Sequence, residues 1–147
     1  MPESIGTLTA GCHCGAIRFS VAIDTSNPKA SKCNCSICLK SGRVSISADK
    51  DRDFVLLSPS SLDEVPKYHF GARRQSHCFC QTCGVHCFVY GSFQWEGQLV
   101  RLFSFNVLTL DPDQSLDLRE LKLSYWDGKG DKYAEGPSEK PPAGGIF

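Results

Sequence analysis

Residues 11–23 read GCHCGAIRFSVAI, and the two halves of this stretch carry the signals from which the fold is read. In the first half, Cys12 and Cys14 sit between Gly11 and Gly15, a composition suited to a tight turn that gathers two sulfurs. In the second half, Ile17, Phe19, Val21 and Ile23 alternate with Arg18, Ser20 and Ala22. An apolar residue at every second position marks a strand with one face buried.

The same alternation recurs over residues 44–48, 54–57, 67–70, 85–90, 99–107 and 118–125. Residues 99–107 are apolar on both faces in places (Leu99, Val100, Leu102, Phe103, Phe105), which predicts a central strand. Asn27-Pro28, Ser58-Pro59, Gly71 and Asp111-Pro112 punctuate the gaps. No long segment has helical periodicity, and short helical turns are expected over 36–41 and 60–65. Residues 129–147 are rich in Gly, Pro and charge and are expected to form an extended or disordered tail. The reading is one all-β domain over residues 5–128, made of short antiparallel sheets.

A chain of 147 residues can bury a core without covalent staples. Lys plus Arg equals Asp plus Glu at 16 each, so no overall field favours a polyanion, and nucleic acid is not an expected partner. The first residues, MPESIGTLTAG, have neither the basic start nor the apolar run of a secretory signal. Nowhere do about 18 apolar residues run together, so no membrane span is expected. A cytoplasmic, reducing setting follows as the expectation, and there cysteines are more often metal ligands or catalytic groups than disulfides.

The nine cysteines are an odd number, and they cluster as Cys12 and Cys14; Cys33, Cys35 and Cys38; Cys78, Cys80 and Cys83; then Cys87. A tetrahedral zinc with Zn–S near about 2.3 Å needs sulfurs held close together. The turn at Cys12 and Cys14, with the knuckle Cys80-Gln81-Thr82-Cys83-Gly84, closes one four-cysteine shell. A full thiolate shell leaves no open position, so this zinc reads as structural. The run CNCSIC at 33–38 offers only Cys33, Cys35 and Cys38. Three protein ligands with a fourth place for water or substrate are the pattern of a catalytic zinc, its excess negative charge tempered by Lys40 or Arg43. A second reading keeps both zincs structural, with the fourth ligand from His13, His77, Cys78 or Cys87. Cys78 and Cys87 otherwise read as buried strand cysteines, and His69, His77 and His86 as packed or solvated histidines.

Taken together, GCHCGAIRF, CNCSICLKSG and FCQTCGVHCF resemble the glutathione-dependent formaldehyde-activating family, also called the centromere-protein-V domain. The likeness runs from about Gly11 through Asp127, and SYWDGK is similar to the family's closing strand and turn. The resemblance implies an all-β fold of the β-tent type. It implies a structural zinc on Cys12, Cys14, Cys80 and Cys83, and a labile catalytic zinc on Cys33, Cys35 and Cys38. It also implies glutathione as co-substrate, whose carboxylates need cations; Lys40, Arg43, Arg73 and Arg74 are the candidates. Cys78 and Cys87 lie outside the motif set.

Three functions are weighed. The first is a zinc-dependent carbon–sulfur lyase or synthase acting on a thiol adduct of an aldehyde or related electrophile. The second is a non-catalytic, zinc-stabilised binding module, chaperone-like or chromosome-associated; a polyanion partner would want a basic surplus that this chain lacks. The third, methionine sulfoxide reduction, needs a nucleophilic cysteine on a late strand, for which only Cys87 is available.

Overall fold

The computed structural model describes residues 5–143. Ten strands follow one another: β1 (Ile5–Gly11), β2 (Arg18–Asp24), β3 (Lys29–Cys33), β4 (Ser45–Ser47), β5 (Phe54–Ser58), β6 (Lys67–Tyr68), β7 (Gln75–Phe79), β8 (His86–Trp95), β9 (Gln98–Asn106) and β10 (Lys122–Trp126). Two short helices, α1 (Ser36–Ser41) and α2 (Lys50–Asp53), interrupt them. The strands make a three-stranded sheet, β1-β2-β5, and a seven-stranded sheet, β10-β3-β4-β9-β8-β7-β6. The protein is all-β. Its ladders are antiparallel with one exception: β10 pairs β3 in parallel, from Lys122↔Lys29 to Trp126↔Cys33.

The alternation of β2 has a direct physical outcome, because Phe19 and Val21 are fully buried while Arg18 and Ser20 are not. Phe19 meets Phe54 of its own sheet at 5.7 Å, and Phe88 and Phe105 of the other sheet at 5.3 and 6.3 Å. These rings join the two sheets, and burying each phenyl contributes about 1.5–3 kcal/mol relative to exposure.

β9 does lie between two partners, β4 and β8, as a central strand must. Only its second half, Phe103–Asn106, is buried; Leu99 is 62% exposed. The reason is the β8–β9 hairpin, whose tip Glu96-Gly97 has φ of 48° and 78° and carries the start of β9 beyond the sheet. The primed-type turn this implies is the one whose twist suits a hairpin. The strand expected over 118–125 starts later, because Asp117 caps a 3-10 turn at Leu118–Glu120 by accepting a hydrogen bond from the Arg119 N–H at 2.9 Å. β1, β3 and β7 carry too many polar or small residues to stand out by alternation.

Paired residues share a face of the sheet. Ile46, Phe105, Phe88 and Cys78 line the face toward β1-β2-β5. Ser45 and Asn106, then Ser104, Val89, His77 and Tyr68, follow one another across the reverse face. Cys33, two residues beyond Ser31, lies on that reverse face as well, since Ser31 pairs Ser45. Residues 144–147 of the expected tail lie outside the described residues. The part before them turns back onto the sheet through a 3-10 turn at Tyr133–Glu135 and a bridge between Tyr125 and Ser138.

Candidate functional site

The structure gathers the seven motif cysteines into two groups, each with its sulfurs within 4.8 Å of one another. In the first group, the turn after β1 closes with the Gly15 N–H donating to the Cys12 carbonyl at 3.2 Å. The knuckle after β7 closes with the Gly84 N–H donating to the Cys80 carbonyl at 2.8 Å, and Gly84 has φ of 78°. Cys12 and Cys14 sulfurs lie 3.7 Å apart, and Cys14 and Cys80 sulfurs 3.6 Å. A tetrahedron with Zn–S of about 2.3 Å has edges of about 3.8 Å, so the donor set fits zinc without rearrangement. Backbone N–H groups of Ile17, Thr82 and Cys83 point at the Cys12 and Cys80 sulfurs at 3.2–3.5 Å, a pattern suited to thiolates. Cys83 is pulled down to about 6, first by the hydrogen bond from the Cys14 backbone and then by that from Val85.

The second group is built where β3 gives way to α1. Cys33 ends β3, Cys35 is the N-cap of α1, and Cys38 faces it one turn later. Gly42, at φ of 64°, ends the helix and sends Arg43 back past it. The Arg43 Nη2 donates to the Cys38 sulfur at 2.8 Å. The Cys35 N–H and the Tyr133 hydroxyl approach the Cys33 sulfur at 3.4 and 3.3 Å. Cys33 is held far below the usual thiol range by hydrogen bonds from Cys35 and Cys38, with Tyr133 adding to them. Cys38 moves the opposite way because it donates to Cys33 and Cys35 and is buried. The Tyr133 phenol is raised by burial and by its bond to Cys33, so it stays an O–H donor. Among the described residues no fourth His, Cys, Asp or Glu joins these three. Three sulfurs with a guanidinium beside them suit a zinc dication, whose charge with three thiolates is net negative.

Asn34, between two of these cysteines, is buried and latches the closing turn. Its amide donates to Asp127 Oδ1 at 3.0 Å, and its Oδ1 accepts from the Lys129 N–H at 2.9 Å. Gly128 sits so close that an added Cβ would stand 2.6 Å from the Cys33 sulfur. Neither Asn34 nor Tyr133 is a candidate by sequence: Asn34 is visible only as the middle residue of Cys-Asn-Cys, and Tyr133 falls in the expected tail.

The other candidates separate. Lys40 is exposed on the last turn of α1, and Arg73 and Arg74 are exposed on the turn before β7. His13 is exposed beside the first group, and His69 bonds Ser76 Oγ at 2.9 Å. Cys78 and Cys87 are fully buried, and burial pushes each thiol up to about 12, which suits packing and not nucleophilic attack. His77 is buried to 2% exposure, and its ring lies 6.1 Å from that of His86. Both are lowered to about 4, first by burial and then by the charge of Arg43.

Comparisons with known proteins bear on the family of the chain. The sequence profile of the family described as glutathione-dependent formaldehyde-activating enzyme matches residues 7–117. A crystal structure of a Rhodobacter sphaeroides protein is similar, at 27% identity over 81% of this chain and 99% of that one, with a TM-score of 0.60. The match spans both cysteine groups and most of the strands that carry them, and the chain belongs to the glutathione-dependent formaldehyde-activating enzyme family.

Proposed function

We propose that the protein is a zinc-dependent carbon–sulfur lyase or synthase that acts on a thiol adduct of an aldehyde or related electrophile, with glutathione as the thiol. The carrying observation is that, among the described residues, three sulfurs and no fourth ligand, those of Cys33, Cys35 and Cys38, lie within 4.8 Å of one another where β3 meets α1. When bound there, zinc supplies a Lewis acid that lowers the pKa of an arriving thiol and keeps its sulfur nucleophilic at neutral pH. The residues around it do the rest. Arg43 offsets the negative charge of the thiolates, Tyr133 and the Cys35 N–H hold the Cys33 sulfur in place, and Asn34 keeps the closing turn against it. In the synthetic direction the thiol sulfur bonds the carbonyl carbon and the thiol proton ends on the carbonyl oxygen. The reverse cleaves the same C–S bond.

Cys12, Cys14, Cys80 and Cys83 hold a second, structural zinc in this reading, which tethers β1 to the knuckle. Among the described residues no helix is long and apolar enough to cross a membrane, and a cytoplasmic small-molecule enzyme is the reading that suits the cysteines. The test is formation of the glutathione–formaldehyde adduct, followed by NMR, with zinc per chain determined in parallel. Wild type should accelerate the exchange, and Cys35→Ser should abolish the acceleration with the fold and the other zinc retained. Cys78→Ser should leave it intact. Unchanged turnover in Cys35→Ser would remove the three-cysteine group from the reaction, and no acceleration by wild type would leave the zinc-stabilised binding module as the surviving account.

A further inference from the structure

Buried polar atoms normally have partners, and those that lack one mark a place where something else supplies it. Among the described residues six buried side-chain atoms have no partner, and five of them belong to three residues. They are Nε and Nη1 of Arg43, Nδ1 of His77, and Nδ1 and Nε2 of His86. The three side chains come from three separate segments: the loop after α1, β7 and β8. Arg43 is 8% exposed and spends Nη2 on the Cys38 sulfur. Its Nε and Nη1, which carry three N–H groups between them, are therefore buried without a partner.

We infer that Arg43, His77 and His86 form a built oxyanion site beside the three-cysteine group, which takes a carboxylate of the thiol substrate. The chemistry of the set selects an anion. A guanidinium always donates and never accepts, and a neutral imidazole donates one N–H from either nitrogen. A metal cation is disfavoured on these histidines because the guanidinium stands close enough to lower both of them. A buried cation left half paired is costly, and a carboxylate would relieve that cost. A planar guanidinium with several fixed donors suits a carboxylate better than an ammonium does. Phe70 stacks on His77 at 5.4 Å, and Tyr68 stacks on Phe70 at 5.6 Å. Both aromatics are about half exposed, so they give the site a rim at the surface. The bond from Arg43 to Cys38 ties the two parts together, so a thiol on the sulfur group has its own carboxylate within reach of the same guanidinium.

This inference rests on the thiol-adduct reading for the identity of its ligand. The test keeps the two apart by measuring binding as well as turnover. The zinc-loaded protein is titrated calorimetrically with glutathione and with glutathione diethyl ester, which has the same thiol and no free carboxylate. Wild type should bind glutathione at least tenfold more tightly than the ester. His77→Gln and His86→Gln, with zinc content unchanged, should lose that preference and raise KM for glutathione about tenfold with kcat little altered. Equal binding of acid and ester by wild type, or full retention of the preference in both variants, overturns the oxyanion site while leaving the lyase reading intact. Preferential binding without turnover overturns the lyase reading and leaves the oxyanion site standing.

Discussion

The hydroxyl of Tyr133 lies 3.3 Å from the sulfur of Cys33, across 100 residues of chain. It completes the surroundings of the three-cysteine group from a segment that follows the last strand. The same segment is held by Asn34, so the group and its cover depend on each other. Donors to ligand atoms of this kind commonly change metal affinity by about 10–100-fold. Tyr133→Phe should therefore weaken zinc at Cys33, Cys35 and Cys38 by about tenfold and leave the four-cysteine site unchanged. Competition with a chromophoric chelator reads both affinities, and equal affinity in the variant would remove Tyr133 from the site.

On the two-zinc reading, chelation should separate the metals. Four thiolates that join β1 to the knuckle contribute on the order of 10 kcal/mol of folding free energy when zinc is bound. The three-cysteine group has fewer ligands and joins only neighbouring segments. Mild chelator should remove one zinc per chain with the far-ultraviolet circular dichroism unchanged. Removal of the second should coincide with collapse of that signal. Loss of both together, with the fold intact, would contradict the structural assignment.

Gly128 tests how tightly the closing turn is packed. A methyl there meets both the Cys33 sulfur and the Tyr133 hydroxyl. Gly128→Ala should cost about 1–3 kcal/mol from overpacking. It should also lower zinc retention at the three-cysteine group and alter the fluorescence of Trp126, whose ring lies 6.0 Å from that of Tyr133. A variant as stable as wild type with both zincs retained would show that the turn has slack.

His77 makes stability depend on pH. Its value in the folded protein, about 4, lies below its ordinary 6.5, because burial and the charges of Arg43 and His69 oppose protonation. The unfolded chain therefore takes up a proton first as pH falls through 6.5, and stability declines until the folded value is reached. Between pH 7.5 and 5.5 this residue should remove about 1 kcal/mol from wild type that His77→Gln does not lose. Urea unfolding of both proteins at the two pH values measures the difference, and parallel losses would contradict the buried, neutral imidazole.

The cysteine spacings and the period-2 alternation were legible without a structure because both are short-range. A Cys-x-Cys turn between glycines or a Cys-x-x-Cys knuckle sets its own sulfur geometry, and side chains two apart in a strand share a face. So the cysteine turns and knuckle, the helical turn at Ser36–Ser41 and the core face of β2 could all be named from residues alone, while the meeting of Cys12 and Cys14 with Cys80 and Cys83, 66 residues on, depends on the fold. Strands with few apolar residues, such as β3 and β7, could not, because non-local pairing forms them and alternation does not reveal it.

What the sequence determined by itself was therefore which residues could bind metal and that the chain would be all-β. Only the tertiary structure decided what surrounds those residues. His77 and His86 read as ordinary packed histidines until the register of β7 and β8 set their rings side by side, with Arg43 returning from α1 toward them. Tyr133 read as tail until the turn after β10 brought it to Cys33. In both cases the partners are far apart in sequence, and only strand order and register place them together.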